Sequence, residues 1–524
     1  KINQAVLEFI CGTGIPPTLV DSVEWASLVH AFDPVIDTYK STSFVDVYIP
    51  AEAARITDEA IKKLTKMKNL TISYDGGTTK AVESIYTIHV TTPISREPYF
   101  ITGDESSGVS HTGSHIAEKI LEVMDRIGRS KFSAISSDST GNTKLAREMV
   151  AGEVPTVIIL PDVCHLIANT GKDIGKLDFF DVTKAHLRSI VKYFKKSSYA
   201  KRHLTIFRLH VLIKTGLVSI GNTRFLTLYY AGSAVIRCLP AIKDLIESKI
   251  IKLTTKVGIQ WMRKREAVSV FENGIQQLVR ILEPLARACK CLESTKATSG
   301  DVFLFWLAVL ASYEQLFCEN SEADGLQLPP GIIEKIRKIV NARWKELTTG
   351  PGKSVYLATF FLDPRYIGSP IFTRKNPNPI LFQTLTVPSR YRADPGTNDS
   401  PASSSDGHDS HLRSTMPSYV VTGGYLMEIL RHEIAANTSP KIFDEYETAA
   451  DIITAFRVQF AAYTSRQPPF LYTAGQEPID YWRGLLENER ASVLAVLGVK
   501  LYSIVPNSMP EERTVSNFTK INSA

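Results

Sequence analysis

Residues 69–90 constrain the fold of this chain more than any other stretch. Asn69-Leu70-Thr71-Ile72-Ser73-Tyr74-Asp75 alternates apolar and small polar residues, the period of a strand with one buried face. The strand delivers Asp75 at its end, straight into Gly76-Gly77, whose backbone takes angles closed to other residues. A second β-rich run, Ile85 to Val90, follows at hairpin distance. A carboxylate at a strand end, beside permissive backbone, is a place where a divalent metal can sit. An isolated Asp-Gly reads as a turn; its company further along gives it weight.

A chain of 524 residues is too long for one ordinary core and implies two or three domains. Its 44% hydrophobic and 22% charged residues exclude a disordered or fibrous protein. The net charge of +6 is compatible with a polyanionic partner without requiring one. Six cysteines with no Cys-x-x-Cys pair give neither a disulfide framework nor a zinc finger, which fits a reducing compartment. No apolar run is expected to span a membrane, and no secretory signal opens the chain. The start at Lys1, already inside an apolar pattern, leads to the expectation that something upstream has been removed.

In chain order, helices are expected over 2–11, 22–32 and 54–68, the last basic and amphipathic. An α/β block follows: the Asp75 strand, a strand over 85–90, a third around Tyr99-Phe100-Ile101, and a helix over 114–127. A fourth strand, Lys131 to Ser137, ends at Asp138; then come a helix carrying Leu145 and Met149, a strand over 156–160, and Asp162-Val163-Cys164-His165. This makes a mixed sheet covered by helices. An RNase H-like core uses this order, although secondary structure alone does not select it. From about 175 to 350 the apolar spacing is helical almost throughout. The basic runs Lys195-Lys196, Lys201-Arg202 and Arg263-Lys264-Arg265 are expected on that domain's surface, serving either solubility or phosphate contact. Residues 385–417, crowded with Pro, Ser, Asp and Gly, read as a disordered surface insertion. Helices resume over 425–434 and 442–464, and Val493 to Leu501 is apolar enough for a buried or partner-facing surface.

Asp75 and Asp138 both follow expected strands. If those strands are neighbours, the two carboxylates converge at one end of the sheet. Hard cations such as Mg²⁺ take oxygen ligands and leave room for substrate phosphates. A two-metal site of that kind suits phosphodiester displacement. It needs a third carboxylate, which spacing alone does not choose.

Five segments, in order, resemble the hAT superfamily of cut-and-paste DNA transposases. Tyr74-Asp75-Gly76-Gly77-Thr78 is similar to that family's first catalytic Asp followed by Gly-Trp-Thr. Ser137-Asp138-Ser139-Thr140-Gly141-Asn142 is similar to its second Asp followed closely by Asn. Asp162-Val163-Cys164-His165 fits its Cys-or-Asp, two residues, His pattern. Leu362-Asp363-Pro364-Arg365-Tyr366 is a phrase typical of the region ahead of its dimerisation segment. Tyr481-Trp482 and then Pro510-Glu511-Glu512-Arg513-Thr514-Val515-Ser516 resemble the dimerisation motif itself. The resembling parts cover roughly 1–170 and 355–524.

The resemblance implies a fold of α/β plus all-α type, an RNase H-like mixed sheet flanked by helices and interrupted by a large helical insertion domain. The implied organisation is an N-terminal helical segment (1–68), the first part of the core (69–175), the insertion domain with its loop (176–470), and a C-terminal segment completing the core (471–524). Asp75, Asp138 and Glu512 become the catalytic carboxylates holding Mg²⁺ or Mn²⁺. His165, Arg224, Phe225 and Arg513 become DNA contacts, with Phe225 offering a ring to a flipped base. The implied reaction cleaves one strand at a transposon end, hairpins the flanking DNA and joins the excised end to a target. The implied partners are DNA, both transposon ends and target, and further copies of the chain, as a homodimer or larger oligomer, without a membrane; the implied compartment is the nucleus. The sequence departs from the pattern where Gly77 replaces Trp, Phe225 replaces Trp after Arg224, and Val515 replaces the aromatic before Ser516. A BED-type zinc finger is also missing. The alternative is therefore a catalytically inactive, domesticated protein that binds DNA and dimerises; a helical scaffold with accidental matches is the third reading.

Overall fold

The computed structural model describes residues 1–78, 84–105, 112–221, 226–254, 258–350, 352–373, 416–436, 441–511 and 513–514. The insertion expected over 385–417 falls, apart from its last two residues, outside the described residues. The chain divides into two compact units, one of residues 1–159 with 508–524 and one of 160–507.

The first unit opens with helices α1 (Ile2–Thr13), α2 (Val23–Phe32) and α3 (Ile49–Leu64). Val6, Leu7, Ile10, Val20 and Phe44 form a small core of their own. Strands β1 (Leu70–Thr78), β2 (Ser84–Thr91) and β3 (Pro98–Glu105) follow, then α4 (Gly113–Ile127), β4 (Phe132–Ser137), α5 (Gly141–Glu153) and β5 (Ile158–Pro161). The sheet order is β3-β2-β1-β4-β5. β2 runs antiparallel to both β1 and β3, whereas β1 and β4 are parallel. This is the mixed sheet expected of an RNase H-like core.

Alternation gives the sheet two unlike faces. Leu70, Ile72 and Tyr74 of β1, Ile88 and Val90 of β2 and Ile135 of β4 share one core with Ile116, Ile120, Met124 and Ile127 of α4 and Val150 of α5. The opposite face presents Thr71, Ser73, Thr87, His89, Thr91 and Ser136, polar residues that are nonetheless all buried. One expectation needs correcting here. β1 does not end at Asp75 but pairs with β2 through Thr78, because Gly76 and Gly77 stand opposite Tyr86 and Ile85 and continue the ladder.

The second unit is helical. Its helices are α6 (Val163–Gly175), α7 (Asp181–Lys196), α8 (Ser198–His210), α9 (Thr227–Glu247), α10 (Arg265–Leu292), α11 (Ser299–Cys318), α12 (Pro330–Thr348), α13 (Val355–Phe361), α14 (Pro417–Ala435), α15 (Ala449–Thr464), α16 (Pro478–Gly484) and α17 (Ser492–Ser503). Contrary to expectation, one apolar run is long enough to cross a membrane by length and composition, namely α11. Its Val302, Trp306, Leu310 and Tyr313 are fully buried, as in a central core helix.

Every residue of the short α13 is buried, so its last carbonyls need partners that water does not supply. Three aromatic side chains distant in sequence provide them. Tyr502 donates to the Thr359 carbonyl (2.8 Å), Tyr463 to Phe361 (3.1 Å) and the Trp482 indole N–H to Leu362 (2.9 Å). Burial pushes both phenols well above their ordinary range, so they remain protonated donors. The segment read as Leu362-Asp363-Pro364-Arg365 thus begins at a helix end, where Arg365 grips the buried Asp363 with two hydrogen bonds of 2.9 and 2.6 Å. Replacing Tyr502 or Tyr463 with Phe keeps the ring and strands one buried carbonyl. Each change is expected to lower stability by about 1–3 kcal/mol; unchanged thermal midpoints in both variants would show that the carbonyls find other partners.

Candidate active site

The register of β1 against β4 brings the two predicted aspartates together. Tyr74 stands beside Ser137 on parallel strands, so Asp75 and Asp138 follow at the same level on neighbouring strands. Both are half-buried, at the end of the polar face where it meets solvent. Asp75 also accepts from the Gly76 N–H (2.9 Å).

Two residues that sequence reasoning missed shape this end of the sheet. Arg147 of α5 is buried and its guanidinium donates to the Ser137 carbonyl (3.0 Å), the Ser137 hydroxyl and the Asp138 carbonyl. It holds the chain where the strand gives way to Asp138, and Thr143 adds a hydrogen bond of 3.0 Å to the same Asp138 carbonyl. Tyr86 of β2 stacks on Tyr74, with ring centroids 5.3 Å apart, and lies over Gly76. Burial, and then the charges of Asp138 and Asp75, push its phenol above the ordinary tyrosine range. One protonated hydroxyl therefore senses both carboxylates. Tyr86 was legible as a core-face residue of β2, but nothing in the sequence pairs it with Gly76.

The C-terminal segment returns to the same sheet. Glu511 is fully buried, and its Oε1 lies 3.5 Å from Nδ1 of His89 on β2. The other ring nitrogen, Nε2, is 3.0 Å from the Thr514 hydroxyl, which donates its own proton to the Pro510 carbonyl at 3.0 Å. With that hydroxyl proton directed at Pro510, the Thr514 oxygen accepts from Nε2 in the tautomer that carries its hydrogen there. Burial pushes the imidazole down to about 4, so His89 is neutral at pH 7. His89 stands opposite Ser73, two positions along β1 from Asp75. Glu512 lies outside the described residues, whereas Arg513 beside it is exposed. Among the described residues no group of three or more His, Cys, Asp or Glu gathers as a metal cluster.

The remaining predicted contacts are His165, Arg224 and Phe225. His165 belongs to the second unit and sits in the first turn of α6, not at a strand end. Asp162 is the cap of that helix and accepts from the His165 N–H at 2.9 Å. The Asp-x-x-His spacing therefore has a local reason, a side chain satisfying a free helix amide. Arg224 and Phe225 lie outside the described residues.

Residues 47–190 match the model of a family described as "Domain of unknown function (DUF659)", which is associated with hAT-type transposase-like proteins. The matched stretch holds the whole sheet with Asp75 and Asp138, and also His165. No curated protein matches the chain.

Two measurements probe this geometry. A Cβ on Gly76 would come within 2.3 Å of the Tyr86 ring. Gly76→Ala is expected to destabilise by about 1–3 kcal/mol, and Tyr86→Ala should relieve part of that loss in the double variant. Strict additivity would mean that the two residues do not touch in solution. For His89 the sign follows from a folded value of about 4 against an unfolded one near 6.5. The unfolded chain takes up a proton below pH 6.5 that the folded chain refuses until about pH 4, so His89's contribution is intact above pH 6.5 and falls as pH drops through that window. Relative to His89→Gln, the wild-type chain is expected to lose about 3 kcal/mol between pH 7 and 4; parallel stability profiles would show a hydrated imidazole instead.

Proposed function

We propose that the chain is a hAT-type transposase, or a protein derived from one, that cleaves and joins DNA phosphodiesters at the Asp75–Asp138 end of its sheet. The observation that supports this reading is the β1–β4 register, which pairs Tyr74 with Ser137, the residues immediately before Asp75 and Asp138. The family match over 47–190 supports the same direction.

The donor chemistry fits a divalent cation. Both side chains are carboxylates, both are reachable from solvent, and Mg²⁺ is commonly held by one or two carboxylates with waters and substrate phosphates completing the shell. Asp75 and Asp138 would hold Mg²⁺ or Mn²⁺, with Glu512 as the third carboxylate. When bound, such a cation lowers the cost of forming an attacking oxygen and a departing one at phosphorus. The chain's own residues do the positioning. Arg147 fixes the backbone under Asp138, and Gly76 leaves room for the Tyr86 ring that packs on Tyr74. His89 ties the returning segment to β2 through Thr514. In this reading His165 and Arg513 contact DNA, Arg224 and Phe225 belong to the same contact set, and the active form is a nuclear homodimer or larger oligomer.

The test is metal-dependent cleavage of terminal-repeat DNA by the full chain. Asp75→Asn and Asp138→Asn are each expected to lower the rate at least a hundredfold, since each removes a charged ligand without changing shape. Glu512→Gln should do the same, and Glu511→Gln should act mainly on stability. Activity equal to wild type in Asp138→Asn, or none in any form of the chain, eliminates the enzyme and leaves the DNA-binding, dimerising protein.

A further inference from the structure

Residues 182–243 contain twelve Lys and Arg and no Asp or Glu. This stretch of 62 residues carries +12 in a chain whose total is +6, so everything outside it sums to −6. The positive balance of the protein is therefore concentrated in one stretch of the second unit.

Some of these cations have internal work. Lys184 is buried and donates to the Gly175 carbonyl (2.5 Å). Arg208 donates to the carbonyls of Ile213 (2.9 Å) and Lys214, and Lys243 pairs with Glu272. Of those without such a role, six lie on α7 and α8: Arg188, Lys192, Lys195 and Lys196 on α7, and Lys201 and Arg202 on α8, are all exposed, and none has an ion-pair partner among the described residues. On α7, Lys192 follows Arg188 by four residues, and Lys195 and Lys196 follow Lys192 by three and four, on the side away from the buried Leu187, Ile190, Val191 and Phe194.

Their placement is unfavourable for the fold. Like charges at such spacing repel. Lys195 and Lys196 do complement the C-terminal end of α7, but Lys201 and Arg202 stand at or just beyond the first turn of α8, where positive charge opposes the helix dipole. Among the described residues no acidic side chain pairs with these six cations, which leaves them available to an external anion. Tyr199 and His203, on successive turns of α8, add rings 4.4 Å apart, and Tyr199 is 57% exposed. Cations flanking exposed rings are what a single nucleic-acid strand needs, phosphates for the former and a base face for the latter.

We propose that the exposed sides of α7 and α8 bind the phosphate backbone of nucleic acid, with Tyr199 and His203 as a stacking platform for an unpaired base. That the polyanion is nucleic acid rests on the function proposed above; the location and the charge do not. α8 also exposes Ile206 and Leu209, so an anionic membrane is the competing partner and enters as an arm of the test.

The experiment is fluorescence anisotropy of the full chain with a labelled 25-nucleotide single strand and a 25-base-pair duplex, in EDTA, across a NaCl series. Lys192→Gln/Lys195→Gln/Lys201→Gln/Arg202→Gln should lower the slope of log affinity against log salt by roughly 3 and weaken binding at least tenfold at 0.1 M NaCl. Lys195→Gln/Lys196→Gln alone should lower the slope by about 1.5, which guards against a misfolded quadruple variant. Tyr199→Ala should weaken the single strand several-fold and leave the duplex unchanged. Unchanged slopes in both charge variants overturn the proposal, as does wild-type binding to phosphatidylserine vesicles with none to either nucleic acid. Because EDTA removes the chemistry, a chain that binds through this surface but never cleaves DNA defeats the catalytic reading alone.

Discussion

The parallel pairing of β1 with β4 is the constraint on which the first unit depends. Side chains alternate with a period of two, so a slip of one residue would carry Leu70, Ile72 and Tyr74 out of the core and turn Thr71 and Ser73 into it. That penalty pins the register, and the register in turn fixes the level of Asp75 within β1 and of Asp138 just past β4. The pairing is not uniform: it jumps between Leu70 opposite Phe132 and Thr71 opposite Ala134. A bulge at that point lets the start of β4 keep its own contacts while the carboxylate end stays aligned. The aspartates are thus placed by hydrophobic packing several residues away, not by any attraction between themselves, which would be repulsive.

The second face of the sheet is physically the stranger one. A buried face lined by threonine, serine and histidine gives up the transfer energy that valine or isoleucine would contribute. Short hydroxyl side chains keep that loss small, because each buries a single small polar group. The Thr87 hydroxyl reaches the Asp75 carbonyl (3.5 Å) and His89 has the Thr514 hydroxyl, whereas the buried Ser136 hydroxyl has no hydrogen-bond partner among the described residues. Chemical character therefore changes gradually along β1, from dry hydroxyls at Thr71 and Ser73 to the half-buried Asp75. A carboxylate at the wet end of such a face stays reachable from solvent, whereas the same group at the Ser73 position would be fully desolvated.

Much of this was legible in the sequence, for definite reasons. Helices and strands declared themselves wherever one face is apolar, as over Ile116 to Ile127 and Leu70 to Tyr74. The end of β1 did not, because Gly76-Gly77 looks like a turn in isolation; only the facing strand makes it a ladder. Arg147, Tyr86 and Glu511 were not singled out, since each acts across a tertiary contact. The contact of His89 with Thr514 spans 425 residues, and no local period encodes it. The Asp162–His165 spacing had a local meaning, a capped helix, which a pattern of residue types alone does not distinguish from a ligand set. The apolar run of α11 illustrates the converse: a helix with a core on most sides has the composition of a membrane span.

A site made of carboxylates cannot recruit its own polyanionic substrate. Before any cation binds, Asp75 and Asp138 repel a phosphate, and at physiological salt that field dies within about 8 Å. On the proposed function, attraction comes from groups that touch the nucleic acid themselves, and the excess cations of this chain are segregated into an acid-free stretch. Mixed surface charge would have served solubility equally well with less strain on α7 and α8. The separation of acidic and basic residues accords with the proposed nucleic-acid partner. It has the further consequence that loss of the chemistry, by change at either aspartate, leaves the means of binding intact. A chain built this way can outlive its activity as a binding protein, which ties the enzyme and its inactive descendant to one architecture.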